Sequence, residues 1–261
     1  MADETIKDRI YIGTILLEKN RWANPKTPTY AVSEWLDRFD EAGFDGMELW
    51  EYHATLCAQE ELNALEEKAT PVAVYNPYCD FDDASAGDRQ SAVEMVQRLG
   101  AKGVKYNVGK EPGLRGQYLK NLATWREALP GGCRMLCECH PGTILEEPAD
   151  AASFFDELGR DKTEIIVHGL RPDLDQLKAW FDAFGPAITH VHLQLSNEAG
   201  RREMLRNQPD HVRDAMQVMR AGGFERSFTL EFTQGTGEPD ETIEGLWEAA
   251  LSDLKFLKEF L

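Results

Sequence analysis

Five short apolar segments each carry ionisable side chains near their C-terminal end: Glu48 in MELW, Glu138 in MLCECH, His168 in IIVH, His190 and His192 in HVHLQ, and Glu231 in TLEFT. Side chains alternate along a β-strand, so residues two apart share a face. On that spacing Glu48 lies with Trp50, and Leu136, Glu138 and His140 lie together. Ile166 shares a face with His168, His190 with His192 and Gln194, and Thr229 with Glu231 and Thr233. The opposite faces are apolar: Met47 and Leu49, Val191 and Leu193, Leu230 and Phe232. A buried carboxylate is costly unless paired. Three carboxylates and four histidines at one end of a sheet therefore need a compensating charge. A divalent cation supplies it, and oxygen and imidazole ligands suit Mn, Mg, Co or Zn. Taken singly, each residue has a plainer reading, a hydrogen-bonded core histidine or a salt-bridge glutamate. Repetition over five segments favours the shared metal.

The elements that position these residues alternate strand and helix eight times. The expected strands are 9–13, 45–50, 71–75, 103–107, 134–139, 164–168, 189–193 and 227–232. Helical spacing fills the gaps, as in 32–42, 89–99, 174–184 and 241–261. In the last, Ile243, Leu246, Ala250, Leu254 and Leu257 form one stripe. Glycines at Gly43, Gly100, Gly131 and Gly222 read as helix stops before a strand. Eight βα units in 261 residues predict one domain, a (β/α)8 TIM barrel of the α/β class over 1–261. An open doubly wound sheet is the alternative. Its usual glycine-rich turn after the first strand is missing from Gly13-Thr14-Ile15-Leu16.

The formal charge is 28 minus 46, or −18, which argues against nucleic acid as a main partner. Arg201, Arg202 and Arg206 could still form a local basic patch. The polar, acidic start does not read as a signal peptide, and no apolar run approaches the length of a membrane span. The five cysteines, an odd number, fit free thiols in a reducing cytoplasm. Cys137 and Cys139 flank Glu138 as C-x-C and read as small packing residues.

The order Glu48-Leu49-Trp50, Glu138-Cys139-His140, His190-Val191-His192 and Leu230-Glu231-Phe232 resembles the xylose isomerase-like barrel superfamily over nearly the whole chain. That superfamily includes sugar phosphate isomerases and epimerases, ketose 3-epimerases, hydroxypyruvate isomerases, inosose and dehydroshikimate dehydratases, and apurinic endonucleases. The resemblance implies one divalent metal held by Glu138, His192 and Glu231, with a fourth ligand after strand six. The epimerase motif there is D-x-x-H, whereas this chain has His168-Gly169-Leu170-Arg171. His168 falls at the ligand position and Arg171 at the substrate-binding one. Asp173 and Asp175 are the nearby substitutes for His168. The swap removes one negative charge, which favours Mn or Zn.

A metal that chelates a carbonyl and an adjacent hydroxyl acidifies the C–H between them. Glu138 and Glu231, on strands five and eight, could then remove and return a proton from opposite sides. This predicts a metal-dependent isomerase or epimerase of a small sugar, keto-sugar or sugar phosphate, acting through an enediolate. Alternatives are a lyase on the same site, acting on a cyclitol or oxidised glycoside, or a non-catalytic sugar-binding barrel. A nuclease would need more histidines and a basic face. Expected substrate contacts are Trp50, Lys105, His140, Arg171, His190 and Arg201. An arginine at 171 could hold a carboxylate or phosphate through two hydrogen bonds. Trp50 could stack on a sugar or plug the barrel; Lys105 could reach substrate or pair with Glu138. Trp22, His53, Tyr75, Asn76 and Asn107 are further candidates for the mouth, whereas His211 reads as the start of a surface helix. Barrels of this kind often dimerise, so a homo-oligomer is compatible with the sequence.

Overall fold

The computed structural model describes residues 9–67, 70–160 and 163–260. Eight parallel strands close on themselves: β1 (Arg9–Gly13), β2 (Met47–Trp50), β3 (Val72–Asn76), β4 (Gly103–Tyr106), β5 (Arg134–Glu138), β6 (Glu164–His168), β7 (Ile188–Leu193) and, after a small hairpin, β10 (Ser227–Leu230). Strand β1 pairs with both β2 and β10, so the sheet has no edge and the open-sheet alternative is excluded. Glu231 lies one residue past β10, but its N–H donates to the Leu193 carbonyl and extends the pairing.

Helices α1 (Leu36–Ala42), α2 (Tyr52–Thr55), α3 (Gln59–Glu67), α4 (Ala86–Leu99), α5 (Arg115–Ala128), α6 (Pro148–Leu158), α7 (Leu174–Phe184), α8 (Pro209–Ala221) and α9 (Ile243–Leu257) fill the connections. The stops work through backbone geometry. Gly43 and Gly100 adopt φ of +83° and +59°, a left-handed conformation that side chains disfavour, and so end α1 and α4. The predicted helix over 32–42 begins as a 3-10 turn at Val32–Trp35 and becomes α-helical at Leu36.

The outward strand residues, such as Ile10, Ile12, Met47, Leu49, Val104, Val191, Leu193, Phe228 and Leu230, pack against the helices in one continuous core. Burial of that apolar surface is the main driving force for closing the layers. Among the described residues, Val74, Leu136 and Ile166 form a small apolar cluster inside the barrel. Buried Glu48, Lys105, Glu138, His190, His192 and Thr229 occupy the rest of the interior. A charged barrel interior is the feature that most needs a chemical explanation.

One element lacks a sequence signal: a hairpin of β8 (Leu195–Ser196) and β9 (Arg202–Glu203) between β7 and α8. Cys137 and Cys139 are buried, and all five cysteines are free thiols. Among the described residues no helix is long and apolar enough to cross a membrane.

Candidate metal centre

Strand alternation turns Glu48, Glu138, His168 and His192 inward from four neighbouring or facing strands. Glu138, His168, His192 and Glu231 each offer a ligand atom within 4.8 Å of the others. His168 Nε2 lies 2.9 Å from Glu138 Oε1, and His192 Nδ1 lies 3.1 Å from the same oxygen. Glu231 Oε1 stands 3.6 Å from His192 Nδ1. His168 therefore stands where the resemblance placed a ligand. Asp173 instead caps α7, accepting from the backbone N–H of Asp175 and Gln176, and Asp175 belongs to the same helix turn.

Further polar side chains hold these four in place. His192 Nε2 is 3.0 Å from Glu48 Oε2, and Asn76 Nδ2 donates to Glu48 Oε1 at 3.1 Å. A carboxylate behind an imidazole fixes its tautomer and raises its basicity, the usual support for a metal-ligating histidine. Lys105 Nζ donates to Glu138 Oε2 at 2.6 Å, and Asn107 Nδ2 donates to the same oxygen at 3.1 Å. Gln194 Nε2 lies 2.6 Å from His168 Nδ1 and donates to Glu231 Oε2 at 3.0 Å.

The electrostatics ask for a cation. Burial opposes the charged form of Glu138, yet Lys105, His168 and His192 hold its carboxyl well below the usual range. Glu48 is likewise lowered against burial, chiefly by His192. Burial alone would push His192 down, but Glu48 and Glu231 raise it to about 10. That shift marks an excess of carboxylate around His192. Formally, Glu48, Glu138 and Glu231 against Lys105 leave −2, the charge that one divalent ion balances. Donor types, convergence and charge all fit such an ion.

The remaining expected residues divide. His190 lies wholly buried, with ring nitrogens 2.8 Å from Ser227 Oγ and 2.8 Å from Thr229 Oγ1. Burial pushes it down to about 4, so it is a neutral interior residue rather than a substrate contact at the mouth. Trp50 plugs the barrel: it is fully buried edge-on to Tyr52 and His53. Lys105 is buried in its ion pair with Glu138. His140 is exposed past the end of β5, with Nδ1 2.7 Å from the Pro141 carbonyl oxygen. Arg171 borders a cavity beside His168. Arg201 is exposed and faces Glu238 at 3.6 Å, whereas its neighbour Arg202 lines that cavity. Trp22 stands exposed at the rim, its ring 5.8 Å from that of Phe232. His53 is buried against Glu18, and Tyr75 is buried among apolar residues of the outer core.

Three polar atoms are buried without a partner among the described residues: Trp50 Nε1, Asn76 Oδ1 and Gln194 Oε1. All three belong to residues at the C-terminal ends of β2, β3 and β7. Buried polar atoms are rarely left so. The cavity beside Gln194 holds about 260 Å³ and is lined in part by His140, His168, Arg171, Gln194 and Arg202. A larger cavity of about 460 Å³ lies over the loops after β4 and β5 but touches none of the four candidate ligands. Both lie at the C-terminal mouth, where sites in such barrels form, but only the smaller one touches a candidate ligand, His168.

Solved structures share this architecture end to end. A 3-keto-D-glucoside 4-epimerase from E. coli aligns with a TM-score of 0.65 at 16% identity, over 97% of this chain and 100% of its own. A probable 3-DHS dehydratase from Bacillus anthracis aligns at 0.67 and 16% identity, over 96% of this chain and 98% of its own. The IOLI protein with a bound zinc atom aligns at 0.67 and 14% identity, over 97% and 99%. The chain has the fold of the xylose isomerase-like barrels. No protein-family model and no curated protein sequence matches it.

Within that barrel, Glu48 and Arg202 are the residues that sequence reading left without a role. Glu48 was visible as inward-facing, but its partner His192 is 144 positions away. Arg202 depends on the short hairpin, whose two-residue strands carry no periodic signal.

Proposed function

We propose that this chain is a metal-dependent enzyme that removes a proton beside the carbonyl of a small carbohydrate. The supporting observation is the convergence of Glu138, His168, His192 and Glu231 within 4.8 Å, beside a polar cavity. A divalent ion bound there would supply Lewis acidity, polarising a carbonyl and adjacent hydroxyl of the substrate. Glu138 and His192 would act chiefly as its ligands, with Glu48 holding the His192 ring in place. Gln194 and His168 orient Glu231 from one side.

The two carboxylates that could carry a proton have unequal surroundings. Glu138 Oε2 already accepts from Lys105 Nζ and Asn107 Nδ2, and Oε1 faces two imidazoles. Glu231 Oε2 accepts from Gln194, whose own Oε1 lacks a partner. Glu231 is therefore the base, taking a proton onto a carboxylate oxygen. Isomerisation that returns the proton on the same face needs one base. Elimination, in which the electron pair of the broken C–H bond expels a β-leaving group, also needs one. Epimerisation needs a donor on the opposite face, and Glu138 is already committed to Lys105. The unequal pair thus favours an isomerase or a lyase over a two-carboxylate epimerase.

Solvent-deuterium wash-in next to the carbonyl, over a panel of keto-sugars, tests this reading. The Mn-loaded chain is expected to exchange, and Glu231→Gln to lose the exchange. A chain that binds sugars yet takes up no Mn and shows no exchange at saturating Mn would instead be a non-catalytic barrel.

A further inference from the structure

The cavity beside His168 draws its walls from three connections: His140 and Pro141 after β5, Leu170, Arg171 and Pro172 after β6, and Ser196 with Arg202 on the hairpin. No carboxylate lines it. That is notable in a chain with 46 acidic and 28 basic residues. Arg171 makes one hydrogen bond, from Nη1 to Gln176 Oε1 at 3.4 Å, and Arg202 makes one, from Nη1 to Ser196 Oγ at 2.6 Å. Neither forms an ion pair among the described residues, although every guanidinium carries five N–H donors. The Arg202 guanidinium lies 5.4 Å from the centre of the Phe232 ring, which helps fix its position. Arg202 is half-buried, and that burial lowers its basicity although Glu231 pulls the other way. Two guanidinium groups with most donors free, on a wall without acids, form a binding site for an oxyanion. His168 and Gln194 line the same cavity, the first a candidate ligand and the second hydrogen-bonded to Glu231.

We infer that this cavity binds the anionic end of the substrate, a carboxylate or a phosphate monoester, held by Arg171 and Arg202. This rests on the proposed proton-transfer chemistry at Glu231. The buried Gln194 Oε1, which has no donor, would take a hydroxyl of the same molecule between its anionic end and its reacting carbon. The substrate class is thus a sugar acid or sugar phosphate, not an uncharged sugar.

Isothermal titration of the Mn-loaded full chain with inorganic phosphate and with malonate tests the inference. At least one is expected to bind saturably, about one per chain, and to weaken at least tenfold in both Arg171→Met and Arg202→Met with Mn content unchanged. Competition by a hexuronate or by a hexose 6-phosphate then identifies the group as carboxylate or phosphate. No saturable anion binding would overturn the inference, as would binding equal in the variants, which would place the anion on the metal. Displacement by an uncharged hexose as effective as by its charged relatives would also overturn it. Exchange of deuterium into uncharged sugars alone would leave the proton-transfer reading standing and remove this one. Anion binding at the arginines without exchange into any sugar would do the reverse.

Discussion

A glutamate and a histidine meet at 3.1 Å in two regions of this chain, Glu18 with His53 in the loops around the barrel and Glu138 with His192 inside it. Both pairs are nearly inaccessible to solvent. They differ in what surrounds them. Glu18 accepts from the Asn20 N–H, the Thr29 N–H and the Thr29 hydroxyl as well as from His53, whose other nitrogen meets Thr14 Oγ1. Although burial pushes it up, those bonds hold the Glu18 carboxyl below its ordinary range. Arg21, in the same loop, donates to the Ile15 and Leu16 carbonyls and to Glu241. The chain satisfies this cluster by itself, and its work is to pin the loop after β1 to the barrel. Around Glu138 the carboxylates outnumber the cations, Glu48 and Glu231 push His192 up, and Asn76 and Gln194, which donate to those two glutamates, each keep an unpartnered oxygen among the described residues. Burial of acid and imidazole therefore does not mark a functional site. Incomplete pairing does.

The largest expected effect falls on Glu231. Glu231→Gln should slow exchange next to a substrate carbonyl by about 10³-fold at saturating Mn, the scale of a lost general base. A rate within tenfold of the unaltered chain would remove Glu231 from the chemistry. The opposite profile is expected at the other cluster. Glu18→Ala, which strips His53, Asn20 and Thr29 of a buried acceptor, should cost about 3 kcal/mol in urea unfolding. Its metal content should stay unchanged, and loss of metal there would erase the distinction between the two regions.

A third buried acid sharpens the point. Asp253 on α9 accepts from the Thr233 hydroxyl at 2.6 Å and the Leu205 N–H at 2.8 Å, with no cation in contact. Burial pushes it up to about 6 against those bonds. The folded chain thus holds this proton more tightly than the unfolded chain does. Its stabilising contribution is complete below about pH 4 and is lost as pH rises through about 6, to the extent of about 3 kcal/mol. Asp253→Asn should flatten the decline in unfolding free energy between pH 4 and 7. An unchanged slope would show that Asp253 titrates normally. The smallest effect is expected from Glu48→Gln, which keeps an acceptor behind His192 but removes the charge. Metal affinity should fall 10- to 100-fold, read by titration, with little change in unfolding. Undiminished affinity would leave Glu48 as a packing residue.

The barrel was legible because strand alternation and glycine stops act over a few residues. β1 and β6 fall at 9–13 and 164–168 as expected, and the other six barrel strands lie within two residues of their expected limits. The inward faces of β2, β5, β6 and β7 followed from period two alone, and Glu138, His168, His192 and Glu231 do converge. Depth and partnership were not legible. His190 and His192 share a face and both approach Glu48, at 3.6 and 3.0 Å, but only the bonds of His190 to Ser227 and Thr229 separate a core residue from a candidate ligand. Arg201 and Arg202 differ by one position, and only the hairpin decides which one turns to the cavity. Lys105 could reach substrate or Glu138 on sequence grounds, and the charge of neighbouring strands settled it on Glu138.

The central claim is that these side chains hold one divalent ion, and metal analysis of the purified full chain tests it most directly. Elemental analysis after exposure to Mn or Zn and removal of excess should find about one ion per chain, lost in both His192→Ala and Glu138→Gln and retained in Glu18→Gln. A chain that retains no ion, or one whose metal survives both substitutions in the Glu138 cluster, would contradict the account.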